Sequence, residues 1–350
     1  MKTKVFQVGV LFLLLAFFVS ACAPAATPAP QEPAPQEPAP QEPAPAEPLK
    51  VAVIMPSSIT DYAFSQSFYE GLKIVQEEMG GEGNMEIAFS EGMFNVPDAA
   101  AAIRDYAATG YDIVFAHGSQ YGTSLAQIAP DFPETAFAWG TSLDTFQAQG
   151  VTNVHAYQAE AQEGGFVMGV IAALMSESGV LGIAGPVEAG DAKLYVDGFA
   201  HGAKYARPDV TVNITYTGSF SDVSLMAAAA NTHISAGADM LTGSSQSVVG
   251  AIGVAKDNGA YWFGTQWDQS PIAPETVVAS QIFDWTGIIK DIIDSASKGV
   301  LGGKAYTLTF KNEGLVLKYN DAVPVADEIK AAAADAIQGI MDGEIDPLPY

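Results

Sequence analysis

Residues 50–79 read KVAVIMPSSITDYAFSQSFYEGLKIVQEEM. Lys50–Met55 is a short apolar run, suited to a strand buried on both faces. Beyond a polar stretch, Phe68, Leu72, Val75 and Met79 recur at helical spacing, which predicts a helix over Ser65–Met79. The same alternation continues outward. Strand runs are read at Asp112–Ala116, Thr135–Trp139, Val154–Gln158, Val180–Ala184, Thr211–Tyr216, Asp239–Leu241 and Tyr261–Gly264. Later strand runs are read at Thr276–Ile282, Tyr306–Phe310 and Leu315–Tyr319. Helical runs are read at Gly165–Met175, Leu194–Ala206, Val223–Ser235, Val248–Lys256, Gly287–Ser297 and Val325–Met341. Such βα alternation predicts an α/β fold of parallel sheets with helices on both faces. Roughly 300 residues exceed one comfortable core, so two lobes are expected. A ligand site is expected in the loops at the carboxyl ends of the strands.

Upstream, Lys2 and Lys4 precede an apolar run from Val5 to Val19, then Ser20, Ala21 and Cys22. A basic start, a short apolar core and small residues before a cut make a secretory signal over residues 1–21. An uncleaved anchor is the weaker reading, because Val5–Ala21 is at the short end for a span and no basic residue stops it. Val19-Ser20-Ala21-Cys22 resembles the lipobox of bacterial lipoproteins, which implies cleavage before Cys22 and a diacylglycerol on its thiol. Cys22 is the only cysteine, which excludes disulfides and thiolate metal sites. The stretch 22–48 repeats Pro-Ala-Pro-Gln-Glu at 28–32, 33–37 and 38–42 and has nothing apolar to bury. It is expected to be an extended tether reaching roughly 80 Å at full stretch.

The formal net charge is −25, and Arg104 and Arg207 are the only arginines. Phosphate backbones and anionic lipid surfaces repel such a chain, so nucleic acid is excluded as a partner and membrane attachment falls to acyl chains. No catalytic or metal pattern emerges. His117, His155, His201 and His233 are scattered, and Gly118-Ser119-Gln120-Tyr121-Gly122 has Gln where a nucleophile elbow needs Ser. Gly299–Lys304 lacks the spacing of a phosphate loop. No cofactor is expected.

Polar and aromatic residues instead gather just past strand ends: Ser57–Gln66, His117–Tyr121, Gly218–Asp222, Gly243–Gln246 and Thr265–Gln269. Aromatics beside Ser, Gln and Asp suit a flat polar ligand held by stacking and directional hydrogen bonds. Ser119 and Ser244 are candidate ligand residues on these loops, and Trp267 either adds an aromatic wall or packs between lobes.

At the same loops the chain resembles the basic-membrane-protein family, lipoproteins that serve as substrate-binding subunits of purine-nucleoside-type ABC importers. Asp61-Tyr62-Ala63-Phe64-Ser65-Gln66 and the following residues to Gly71 look like the family's D-x-x-F-N-Q-x-x-x-x-G opening. Glu163–Met175, Gly198-Phe199 with Gly202-Ala203, Tyr216–Asp222, Ala236–Asp239 and Phe263–Gln269 also match, so the resemblance spans 49–320. It implies a two-lobed type I periplasmic-binding fold, with 49–157 and 285–312 in one lobe and 158–284 and 313–350 in the other. The hinge segments are expected near 156–159, 282–286 and 310–315.

The resemblance implies that Phe64 and Phe220 sandwich a purine, with Asp61 and Ser65 as polar positions of the opening loop. Ser65 stands where the family usually has Asn. Gln266 stands where nucleoside-binding members carry the acid for the ribose, while Asp268 is kept. Their ribose lysine falls near Phe283. Gln266-x-Asp268, with Asp284-Trp285 further on, looks more like the subgroup that binds free bases. The implied protein is a monomeric, lipid-anchored receptor outside the cytoplasmic membrane, working with a permease and an ATPase. A sugar or flavin receptor on the same fold, a tethered enzyme or adhesin, and a sensor are the alternatives.

Overall fold

The computed structural model describes residues 47–348; the signal, Cys22 and nearly all of the tether lie outside them. The run that opened the reading forms β1 (Leu49–Ile54), solvent-free from Val51 onward. The chain continues through α1 (Phe64–Glu78), β2 (Met85–Ser90), α2 (Val96–Ala108), β3 (Ile113–Ala116), α3 (Gly122–Ile128), β4 (Ala136–Gly140) and β5 (Val154–Ala159). A second series follows: α4 (Ala161–Met175), β6 (Val180–Gly185), α5 (Gly190–Ala206), β7 (Thr211–Tyr216), α6 (Val223–Ser235), β8 (Met240–Gly243), α7 (Val249–Asp257), β9 (Tyr261–Gln266) and β10 (Val277–Phe283). Last come α8 (Thr286–Ser297), β11 (Ala305–Leu308), β12 (Leu315–Tyr319) and α9 (Asp327–Asp342).

The strands form two six-stranded sheets, ordered β11-β5-β4-β3-β1-β2 and β12-β10-β9-β8-β6-β7. All pairs are parallel except β12, which runs antiparallel to β10 at a sheet edge. The chain passes between the sheets three times: after β5, after β10 and after β11. This is the two-lobed α/β architecture expected from the alternation.

Three elements escaped the sequence reading: β2, α2 and the short α3. β2 is an edge strand with a mixed pattern, and α2 carries Ala99, Ile103 and Ala107 as its buried residues. Two helices also start about a turn earlier than periodicity suggests, α4 at Ala161 and α5 at Gly190.

Register decides where the loops meet. Ile54 pairs with Ser90 on one side and Ala116 on the other, and Ala116 pairs with Trp139. In the second sheet Gly185 faces Tyr216, Ala184 faces Gly243 and Thr242 faces Phe263. The carboxyl ends of each sheet are therefore level, and the following loops crowd together.

Candidate functional site

One wall of the site begins with the start of α1. Asp61 accepts the backbone N–H groups of Ala63 (2.8 Å), Ser65 (3.2 Å) and Gln66 (3.1 Å), and Ser65 Oγ accepts the N–H of Ser57 at 3.1 Å. Burial pushes the Asp61 carboxyl up to about 6 against the pull of those amides. Together they fix the backbone from which Phe64, the first residue of α1, projects.

Phe64 is 4% exposed and stacks on His117, with centroids 3.7 Å apart and planes 9° off parallel. His117 stacks in turn on Tyr157 at 5.8 Å and 12°. Trp285 meets Phe64, His117 and Tyr157 edge-on. Burial drops the His117 imidazole to about 3, so it is neutral. The Phe64 carbonyl can only accept, so Nε2–H donates to it at 3.1 Å and Nδ1 accepts the Tyr157 hydroxyl at 2.9 Å. Phe64 thus has a rigid, uncharged aromatic backing.

The opposite wall comes from the second sheet. Phe220 sits on a loop pinned at both ends. Ser245 Oγ donates to the Phe220 carbonyl at 2.7 Å, and Asp222 caps α6 by accepting the N–H groups of Ser224 and Leu225. At the end of β9, Gln266 has φ +74°, a left-handed conformation costly for a side chain with a Cβ. Its Nε2 approaches Ser244 Oγ at 3.5 Å, the outer limit of a hydrogen bond. Thr141, at φ +63°, adds a second such residue at the end of β4.

Phe64, Ser119, Phe220, Ser244 and Gln266 all line one cleft, which holds about 490 Å3 of space free of protein atoms. No lysine, arginine or histidine among the described residues lines it. Asp61 and Ser65 do not line it; they hold the loop behind Phe64. Trp267 and Asp268 also lie outside the lining, and Asp268 is held by Lys318 Nζ at 2.7 Å and by Ser270.

Sequence reasoning passed over Asp191 and Thr141, which line the cleft beside Gln246 of the loop read at Gly243–Gln246. Asp191 lies in the first turn of α5 and is 4% exposed. Burial pushes its carboxyl up to about 7, with Glu160 adding to the rise and the amides of Ala159 and Asp191 opposing it. Neither of its oxygens accepts a well-formed hydrogen bond among the described residues, so those two amides reach it only in poor geometry. The available signal was its place just past the strand read at 180–184, the one rule used for the other loops.

The sequence model of a family described as PnrA-like ABC transporter substrate-binding proteins matches residues 49–346. A purine-binding protein of Brucella abortus is 30% identical over 302 residues, 85% of this chain and 83% of that protein. An ABC transporter nucleoside-binding protein of Lactococcus lactis is 26% identical over 322 residues, 85% of this chain and 88% of that one. An ABC transporter solute-binding protein of Conexibacter woesei shares the fold with a TM-score of 0.71 at 22% identity, covering 86% of this chain and 98% of its own. With nearly all of the described region matched and a cleft built between its two sheets, the chain belongs to the PnrA-like family of ABC transporter substrate-binding proteins, which bind a solute rather than transform it.

Proposed function

We propose that this protein is an extracytoplasmic receptor that binds a purine between its lobes and delivers it to an ABC permease and ATPase. In this reading Cys22 carries the acyl anchor and residues 23–48 hold the receptor off the membrane. The observation that carries the ligand class is the pair of walls: Phe64, backed by the His117–Tyr157 stack, and Phe220 on the other side of the same cleft. A planar heterocycle gains about 1–3 kcal/mol per stacked face, so two faces supply a large part of a micromolar affinity of about −8 kcal/mol. The Brucella and Lactococcus relatives support a purine or nucleoside as that heterocycle.

A free base is favoured over a nucleoside. Gln266 replaces the acid of nucleoside-binding members, and Phe283, near the place of their lysine, is buried at 1% exposure. Calorimetry with adenine, guanine, hypoxanthine, adenosine and guanosine tests the reading, with the bases expected to bind more tightly. Phe64→Ala and Phe220→Ala are each expected to weaken the best ligand at least about tenfold, from the loss of one stacked face. Silence from all five compounds would remove the purine, and a signal from a sugar or a flavin would redirect the reading.

A further inference from the structure

A buried carboxylate without a partner is rare in a folded protein, because desolvating the charge is costly unless something compensates it. Asp191 is such a group, and it faces a cleft that no basic side chain among the described residues lines. The amide oxygens of Gln246 and Gln266, in the same cleft, also lack partners among the described residues. The three differ in what they demand. A glutamine amide can turn over and offer either its oxygen or its NH2, so neither Gln246 nor Gln266 dictates the polarity of a ligand. An ionised carboxylate only accepts. Once ionised, the form that a donor-bearing ligand favours, Asp191 imposes a sign: the ligand must bring hydrogen-bond donors and must not be an anion.

We propose that Asp191 is the specificity-determining residue of the cleft, its carboxylate accepting hydrogen bonds from the amino and ring N–H groups of an aminopurine. The inference rests on the purine reading and narrows it. Adenine and guanine carry an exocyclic amino group where hypoxanthine and xanthine, respectively, carry a carbonyl. A carbonyl facing Asp191 sets two acceptors against each other and leaves the carboxylate uncompensated, which is how a built polar site rejects a near-isostere. Phosphorylated forms are rejected more strongly, since their charge has the sign of Asp191 and meets no cation in the cleft.

The test is calorimetry of the wild-type protein, Asp191→Asn and Asp191→Ala, with adenine against hypoxanthine and guanine against xanthine. The wild type is expected to favour the amino member of at least one pair by about tenfold or more. Asp191→Asn keeps the shape but offers an N–H, so it should weaken the amino ligand roughly ten- to hundredfold and narrow or reverse its lead over the oxo partner. Asp191→Ala should weaken the amino ligand without improving the oxo one, which separates a change of polarity from a disturbed fold. Unchanged affinity in Asp191→Asn, or a wild-type preference for the oxo member, would overturn the role of Asp191 while leaving the purine in place. Failure of the wild type to bind any of the four would overturn the purine reading, and the role of Asp191 with it.

Discussion

Half-buried Asp61 and buried Asp191 both lie near the start of a helix. Burial raises their carboxyls, to about 6 and about 7, but they differ in the hydrogen bonds they accept. Three backbone amides satisfy Asp61, so it strengthens the loop that carries Phe64. Asp191 meets only the poorly aligned amides of Ala159 and Asp191 itself, and burial raises its carboxyl from 3.8 to about 7. The sign of the linkage follows. Between those values the folded protein holds a proton that the unfolded chain has released, so this group lowers stability as pH rises through about 7. Below about 3.8 both states are protonated and the cost vanishes. Asp191→Asn is therefore expected to raise the Tm of the ligand-free protein near pH 8, through a gain in stability of at most about 4 kcal/mol that fades towards pH 4. Calorimetric melting across that range checks it; a gain independent of pH would mean the carboxylate is not the costly group. The comparison must be with the wild type at each pH. His117, His155 and His233 are held below their usual range by burial, and their contribution to stability is lost as pH falls below about 6.5. The cleft also keeps Thr141 and Gln266 in left-handed backbone conformations. Strain and an unpaired charge collected at one place fit a surface shaped for a ligand more than for stability.

Among the elements, the α4–α5 pair shows how glycine spacing sets a packing distance. Gly165 and Gly169 on α4, and Gly198 and Gly202 on α5, each lie one helical turn apart. A Cβ on Gly202 would overlap the carbonyl oxygen of Phe166, and one on Gly169 that of Phe199. Backbone meets backbone here, so no side chain can yield. Gly202→Ala is expected to cost about 3 kcal/mol or more, read as a lower Tm, with little loss of ligand affinity in the fraction that stays folded. A neutral result would show that the two helices can separate. The sequence made these glycines visible only through resemblance, as Glu163–Met175 and Gly198–Ala203; periodicity alone placed the start of each helix too late. Helices with large apolar residues at helical spacing, such as α1 with Phe68, Leu72 and Val75, were legible directly. α2 was not, because Ile103 is the one large residue on its buried face, and β2 was not, because an edge strand shows half a pattern. The same limit hid Asp191. Gly190-Asp191 reads as loop, while in the fold it is the first turn of α5 pressed against the end of β5. Phe64 and Phe220, by contrast, were legible as aromatics on loops past strand ends, although only the resemblance implied that they act as a pair; both line the one cleft.

For the molecule as a whole, two contacts brace the region that carries Phe64, one within its own lobe and one between the lobes. Trp285, just past one of the crossings between sheets, is fully buried, donates to Ser67 Oγ at 3.0 Å and packs edge-on against the stack behind Phe64. Gln269, beyond β9 of the second sheet, donates through Nε2 to the carbonyl of Tyr62, in the loop that leads from β1 to Phe64, at 3.2 Å. The second contact fastens the lobe bearing Phe220 to the loop bearing Phe64, so it favours the arrangement in which both rings face one ligand. A ligand that binds only the closed arrangement loses affinity in proportion to the fraction of molecules that are closed. Gln269→Met removes the bond between lobes but also two within its own lobe, from Gln269 Nε2 to the Thr265 carbonyl at 3.1 Å and from Trp262 Nε1 to Gln269 Oε1 at 2.7 Å. Trp262→Phe removes the Trp262 bond and part of a buried ring but leaves the contact between lobes in place. Both variants are expected to lower Tm, whereas only Gln269→Met should weaken ligand binding, by about fivefold to tenfold for one hydrogen bond. It should also leave the radius of gyration of the ligand-free protein larger than that of the wild type in solution scattering. Equal losses of affinity in the two variants, with unchanged scattering, would place the role of Gln269 in supporting its own lobe. A selective loss would make it part of the closing mechanism, in a residue that the sequence offers only as the last letter of a loop.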